Sequence, residues 1–149
     1  MALLYAFVGF VILNATWMGI DSFRLRRLRI SRQASGYNKE RFVAAFRELG
    51  IPDNIPETVY QYYGSQRAFR DFPFAPDDKY SEVLHDAPDD IDEDALALLD
   101  RLGFLLLAER VRREYGDKPI NTLRDMVVWL DWMRQHQPGG TGEPGGLRS

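Results

Sequence analysis

Residues 2–20 form an apolar run without a charged side chain, ALLYAFVGFVILNATWMGI, and this run limits the possible folds of the chain more than any other feature. At the helical rise of about 1.5 Å per residue, a run of this length reaches roughly 28 Å, which is close to the hydrocarbon thickness of a bilayer. Tyr5 and Trp17 lie towards opposite ends, where amphipathic rings favour the membrane interface. The pattern therefore predicts a single transmembrane helix, which we assign to residues 1–22.

Two other structures could contain this run. A cleaved export signal needs basic residues before the apolar stretch and a small-x-small site after it, whereas here the basic residues follow the run. A buried core helix is the second alternative, but a chain of 149 residues has little core in which to hide a helix that is apolar all round. The transmembrane helix is the favoured interpretation.

A basic segment, residues 23–37, follows the apolar run and is predicted to be a juxtamembrane linker. Positive flanks stay on the cytoplasmic side and attract anionic lipid, so we expect the N-terminus outside and the rest of the chain in the cytoplasm. RNA is an alternative polyanion, but a net charge of −3 and a pI near 5.4 argue against nucleic acid as a partner. The side chains predicted to contact lipid headgroups are Arg24, Arg26, Arg27, Arg29 and Arg32.

The next part of the chain, residues 38–136, is predicted to be an all-α domain, a small bundle of four to five helices without strand-like alternation. Asn38 is expected to cap its first helix, and Pro56 is expected to be the first residue of the second. Asp77 or Asp78 is expected to cap a short third helix. Glycine and proline dominate residues 137–149, which predicts a disordered tail.

Two further helices complete the predicted bundle. An acidic stretch precedes the first of them, and either Asn121 or Thr122 is expected to cap the second. The apolar side chains assigned to the first are Ala95, Leu96, Leu98, Leu99 and Leu102. The stripe assigned to the second is Leu123, Met126, Val127, Leu130 and Met133.

Acidic residues are concentrated in one region, since residues 71–100 contain eleven acidic side chains and one lysine. An EF-hand calcium loop would require a central glycine, and residues 86–94 contain none, so we predict no metal site. A solvated acidic face that steers a basic protein partner fits the pattern better. The residues assigned to this partner-binding face are Asp77, Asp78, Asp86, Asp89, Asp90, Asp92, Glu93 and Asp94.

Catalytic signatures are not recognisable in the sequence. It contains no cysteine, and its two histidines, His85 and His136, lie outside zinc-type spacing. The glycine-rich tail is not followed by a helix and a lysine, so it is not a phosphate-binding loop. We therefore predict a non-catalytic protein without a cofactor. The tyrosines at 60, 62 and 63 could mark a binding face, but core packing is the favoured interpretation.

The order of motifs over residues 39–134 resembles an acyl carrier protein. Asp94-Ala95-Leu96 follows an acidic loop, where the family has an Asp-Ser-Leu motif at the start of a helix, and Asn121-Thr122 opens the last helix. The resemblance implies a carrier-like helical fold with an acidic helix start that faces basic partners. The family attaches phosphopantetheine to the serine of that motif, and Ala95 has no nucleophile, so the resemblance implies no attachment site here.

Together these patterns predict a membrane-anchored, non-catalytic helical module that presents an acidic face to a protein partner. An acyl-carrier-like or lipid- or acyl-processing protein at the membrane is one alternative. An accessory subunit of a membrane complex, working mainly through its span, is another.

Overall fold

The chain divides into two compact units, Met1–Tyr37 and Asn38–Ser149, in the computed structural model. The predicted transmembrane segment 1–22 lies outside the part of the chain that the structure describes, as does the predicted tail from Pro138 onward. Within the described part, no helix combines the length and the hydropathy needed to cross a bilayer. The described residues are 23–66, 69–84, 88–105 and 119–137, with the backbone alone at 88 and 89.

In the first unit, the described residues form one helix, α1 (23–34), and the turn that ends it. The turn depends on Gly36, whose φ of 72° lies in the left-handed region that glycine adopts without steric cost. This geometry lets the Tyr37 N–H donate to the Arg32 carbonyl at 2.9 Å, which satisfies an acceptor at the helix end. Helix α1 occupies most of the segment that we predict to be a basic linker.

The second unit begins with helices α2 (Lys39–Arg47) and α3 (Asn54–Ser65). The prediction that Asn38 caps α2 is confirmed, because its side-chain oxygen accepts the Arg41 N–H at 2.9 Å. The prediction that Pro56 is the first residue of α3 is wrong, because the helix starts two residues earlier. A proline is tolerated within the first turn, since the N–H groups there have no partner within the helix.

After α3, the next element whose bounds are described is a short π-helical turn, Tyr80–Leu84. The prediction that Asp77 or Asp78 caps a helix at this point is wrong, because the next residue, Lys79, still belongs to an antiparallel β-bridge. The Asp78 carboxylate instead accepts the N–H of Ala75 at 2.8 Å and closes a tight turn before the bridge.

Helices α4 (Pro88–Leu102) and α5 (Leu123–Gln135) complete the described part of this unit. Thr122 caps α5, which confirms one of the two predicted caps. The Thr122 side chain accepts the Asp125 N–H, and the Asp125 carboxylate accepts the Thr122 N–H at 2.9 Å, so the pair forms a capping box.

The irregular segment before the π-helical turn also fixes the start of α5. The Leu123 N–H donates to the Asp78 carbonyl at 3.0 Å, and the Arg124 N–H donates to the Pro76 carbonyl at 2.7 Å. These are the first N–H groups of the helix, which no carbonyl of α5 itself can accept. The loop therefore supplies the acceptors that the helix lacks.

The core of the second unit is rich in aromatic side chains. Phe74 is fully buried, and its ring centroid lies 5.0 Å from that of Phe72 and 5.6 Å from that of Tyr60. Tyr63 is also fully buried, and its hydroxyl lies 3.0 Å from that of Tyr80. Burial raises the pKa of Tyr63 far above its usual range, so the hydroxyl stays neutral. Core packing thus accounts for Tyr63, as favoured from the sequence.

Every regular element in the described residues is helical apart from the single bridge, which confirms the predicted all-α class and helical bundle. The stripe predicted for α5 is confirmed, because each of its members is fully buried. Those members are Leu123, Met126, Val127, Leu130 and Met133.

Candidate functional site

The exposed side of α4 carries carboxylates around one exposed leucine. Leu96 is 51% exposed, and Asp92 and Asp100 lie four residues before and after it, where side chains of a helix are neighbours. Glu93 lies three residues before Leu96 on the same side, and Asp90 borders the group. We call Asp90, Asp92, Glu93, Leu96 and Asp100 the acidic surface.

The assignment of Leu96 to the apolar face of α4 is wrong. Ala95, Leu98 and Leu99 are buried as predicted, whereas half of the Leu96 side chain is open. A helix turns by about 100° per residue, so Leu96 lies roughly 160° around the axis from Leu98 but only about 60° from the buried Leu99. Leu96 therefore lies at the edge of the apolar stripe, and its spacing alone does not decide whether it is buried.

Tyr62 of α3 makes two contacts with α4. The Tyr62 hydroxyl donates to the Asp94 carboxylate at 2.5 Å, and the Arg101 guanidinium lies 4.9 Å from the centroid of the Tyr62 ring. Asp94, which we predict to contact a partner, is therefore already bound to α3 and is half-buried. The two contacts fix the rotation of α4 and keep the acidic surface directed outwards.

Three other predicted contact residues lie together on this surface: Asp90, Asp92 and Glu93 are all exposed. Asp86 and the side chain of Asp89 lie outside the described residues. Asp100 was not predicted from the sequence, although its four-residue spacing from Leu96 is visible there. The acidic surface is thus narrower than the predicted face and includes one additional carboxylate.

Asp78, which we predict to contact a partner, is only 4% exposed. Its carboxylate is used inside the fold, where it accepts the N–H of Ala75. If the Asp78 carboxylate were removed, the Ala75 N–H would lose its acceptor. Asp78 is therefore a structural residue.

Asp77 lies at the start of α5 and forms an ion pair there. The Arg124 Nε lies 2.8 Å from the Asp77 carboxylate and holds the pKa of Asp77 below its ordinary value. The Arg124 guanidinium also lies 5.8 Å from the Phe46 ring centroid. The charge of Asp77 is thus partly compensated by Arg124, and we do not include Asp77 in the acidic surface.

The resemblance motif Asp94-Ala95-Leu96 lies about two turns into α4, whereas we predict it at the helix start. Ala95 is 6% exposed and packs into the core. A prosthetic group at this position would need both a nucleophile and access to solvent. The methyl group of Ala95 provides neither.

The five arginines predicted to contact lipid are divided between the sides of α1. Arg24, Arg26 and Arg27 are exposed, and Arg29 and Arg32 are half-buried. The structure thus divides the predicted arginines into exposed and half-buried side chains, a difference that we did not predict from the sequence.

Among the described residues, no group of three or more histidine, aspartate or glutamate side chains comes close enough to hold a metal ion. Carboxylates on one helix face, around an apolar side chain, can bind a cationic surface. Comparison of the chain with protein-family models, with curated proteins and with solved structures gives no match.

Proposed function

We propose that this protein is a membrane-anchored, non-catalytic module whose acidic surface binds a basic patch on another protein. The observation that carries the proposal is Leu96, a large apolar side chain that is half exposed among Asp92, Glu93 and Asp100. An isolated exposed leucine is common on protein surfaces, but one surrounded by carboxylates combines the two elements of a binding site.

The two elements have different roles in binding. Leu96 would be buried against an apolar side chain of the partner and would provide most of the affinity. The carboxylates would attract the partner from a distance and set its orientation, and they would contribute mainly to the association rate. Because exposed charges are screened over about 10 Å at 0.1 M salt, association should slow as salt increases.

The fold supports a binding role because the surface is preorganised. Tyr62 connects α3 to both Asp94 and Arg101, so α4 does not have to reorient when a partner arrives. The uncharged run at residues 2–20 supports attachment to a membrane, where a tethered module meets its partner at a raised local concentration.

Site-specific photo-crosslinking in the native membrane tests this proposal. A photoreactive amino acid at position 96 should give a discrete protein adduct, because Leu96 lies in the contact. The matched control is position 49, since Leu49 is 55% exposed but belongs to the turn after α2 and not to α4. Adducts of equal yield from both positions would contradict the proposal.

Charge reversal then tests the role of the carboxylates. Asp92→Lys with Glu93→Lys should lower the association rate with the crosslinked partner by about tenfold and leave the helical content unchanged. An unchanged rate would remove electrostatic steering from the proposal. Deletion of residues 1–33 should leave binding in solution intact, whereas an accessory subunit that acts through its predicted span would lose its partner.

A further inference from the structure

Helix α1 has an exposed side on which two large apolar side chains flank a pair of arginines. Phe23 and Ile30 are 71% and 57% exposed, and Arg26 and Arg27 lie between them. Spacings of three, four and seven residues place all four on the same side of a helix. They line an open groove of about 400 Å³, with Ser31 at its edge. We call Phe23, Arg26, Arg27 and Ile30 the α1 exposed side.

The opposite side of α1 is partly buried, so exposure is not a general property of this helix. Leu25, Leu28, Arg29 and Arg32 are all half-buried, and their spacing of three, four and seven residues defines a second stripe. The two leucines are therefore less accessible than Phe23 and Ile30, whose side chains are as apolar.

We propose that the α1 exposed side lies in the headgroup region of an anionic phospholipid bilayer. Phe23 and Ile30 insert among the upper acyl segments, and Arg26 and Arg27 bind lipid phosphates through their guanidinium groups. In this arrangement the helix lies in the plane of the membrane surface. The inference rests on the membrane location in the proposed function and is independent of the acidic surface on α4.

Charge complementarity identifies the occupant. Arg26 and Arg27 are both exposed, and residues 23–37 contain no acidic side chain. Anionic lipid provides many phosphates at the same depth, next to a hydrocarbon layer that can take up Phe23 and Ile30. Because arginine is weakly hydrated and has a long apolar stem, it tolerates this boundary better than lysine.

The sequence before α1 supports a position of this helix at the headgroup level of the bilayer. The uncharged run ends at residue 20, three positions before Phe23. If that run enters the bilayer, the first turn of α1 follows it directly at the headgroup level. A protein partner would have to bind in the same narrow zone and compete with lipid for both the apolar and the cationic groups.

Spin labels can locate this side of α1 because the chain contains no cysteine, so that each introduced cysteine is labelled alone. The full chain carrying Phe23→Cys, Ile30→Cys or Leu25→Cys is reconstituted into phosphatidylcholine vesicles with or without phosphatidylglycerol. Molecular oxygen concentrates among acyl chains and a nickel chelate stays in water. Spin labels at positions 23 and 30 should be more accessible to oxygen than to the nickel chelate when phosphatidylglycerol is present. The label at 25 should not respond to lipid composition.

The arginines are tested in the same variants. Arg26→Gln with Arg27→Gln should abolish the effect of phosphatidylglycerol on the labels at 23 and 30, because the phosphate contacts are lost. Arg24→Gln is the matched control, since Arg24 is also exposed but lies off the α1 exposed side. An equal loss in both variants would overturn the role of Arg26 and Arg27 as specific phosphate ligands.

Flotation of the same samples separates the two proposals. If the chain does not float with the vesicles, the membrane location itself is wrong and the inference fails with it. If the chain floats but the labels at 23 and 30 remain open to nickel, the inference alone is wrong. Labels that neither oxygen nor the nickel chelate reaches would mean that protein covers the α1 exposed side. Binding of another copy of this chain would then replace lipid binding as the explanation.

Discussion

Helices α1 and α5 both carry apolar side chains at helical spacing, but they are covered in different ways. In α5 the stripe that includes Leu123, Leu130 and Met133 is fully buried against the rest of the second unit. In α1 two apolar side chains of similar size, Phe23 and Ile30, remain mostly exposed. Apolar periodicity therefore predicts that a helix will bury one side, but it does not say whether the cover comes from the same chain or from outside it.

The ends and charges of the two helices explain part of this difference. Helix α5 starts with a capping box, and its first N–H groups donate to the Asp78 and Pro76 carbonyls. Several hydrogen bonds therefore fix its position. It also has Asp125 in its first turn and Arg134 in its last, which complements the helix dipole. Helix α1 contains no acidic residue and carries the cationic Arg26 and Arg27 beside Phe23 and Ile30 on its exposed side.

The largest expected difference between the two helices concerns their apolar side chains. Leu130→Ala should lower the free energy of unfolding by about 2–5 kcal/mol, because it leaves a cavity in a closed core. Ile30→Ala should change it by less than about 0.5 kcal/mol, because Ile30 is exposed. Urea unfolding of the full chain in mild detergent, followed by tryptophan fluorescence, measures both. Equal losses would mean that α1 is part of the same core.

The next effect distinguishes two adjacent carboxylates. Asp78→Ala should cost about 1–3 kcal/mol, because the Ala75 N–H would lose its acceptor in a buried turn. Asp77→Ala removes only an exposed pair with Arg124 and should cost no more than about 1 kcal/mol. The same unfolding assay compares them. A reversed order would contradict the assignment of Asp78 as the structural residue and Asp77 as a surface residue.

A smaller effect is expected at the helix ends. Thr122→Ala removes the cap of α5 and should cost about 0.5–2 kcal/mol. Ser35→Ala, at the end of α1, removes a hydroxyl that donates to the exposed Arg32 carbonyl at 2.9 Å and should have almost no effect on the second unit. Thermal unfolding monitored by circular dichroism checks both changes. If Ser35→Ala proved the more damaging, α1 would be more tightly integrated than its exposure indicates.

The smallest effect concerns pH and a surface ion pair in the second unit. The Arg47 Nε lies 2.8 Å from the Asp53 carboxylate, and this contact holds the pKa of Asp53 below its ordinary value. A lowered folded-state pKa means that the pair stabilises the fold above the unfolded pKa of about 3.9, and that this contribution is lost as the pH falls through the lowered value.

Carboxyl NMR titration measures this effect directly. The midpoint of Asp53 should lie below about 3.9 in the parent chain and should return towards that value in Arg47→Gln. The same midpoint in both chains would show that the pair does not persist in solution. Because both side chains are exposed, added salt should also reduce the difference.

Local interactions could be predicted from the sequence, and long-range ones could not. The caps at Asn38 and Thr122 depend on residues three positions away, so short sequence patterns are sufficient to find them. The apolar stripe of α5 follows from one period repeated without interruption. The burial of Asp78 depends on pairing of its segment with the start of α5, more than forty residues later, and no local pattern indicates that.

The candidate site was partly predictable for the same reason. The cluster of Asp90, Asp92 and Glu93 is evident from composition, whereas the exposure of Leu96, three residues before the buried Leu99, could not be derived from spacing alone. The role of Asp94 could not be derived, because its partner Tyr62 lies thirty-two residues earlier on another helix. The division of the arginines in α1 into exposed and half-buried side chains is likewise not visible from composition.

Side-chain protection in lipid nanodiscs tests most directly whether α1 and α5 are covered by different means. Single-cysteine chains, Ile30→Cys and Leu130→Cys, are exposed to a membrane-impermeant maleimide in phosphatidylcholine nanodiscs and in nanodiscs that also contain phosphatidylglycerol. We expect position 130 to be protected in both lipids until urea unfolds the domain. Position 30 should be protected only when phosphatidylglycerol is present. Equal labelling of position 30 in the two lipids would contradict our proposal that an anionic membrane covers this side of α1.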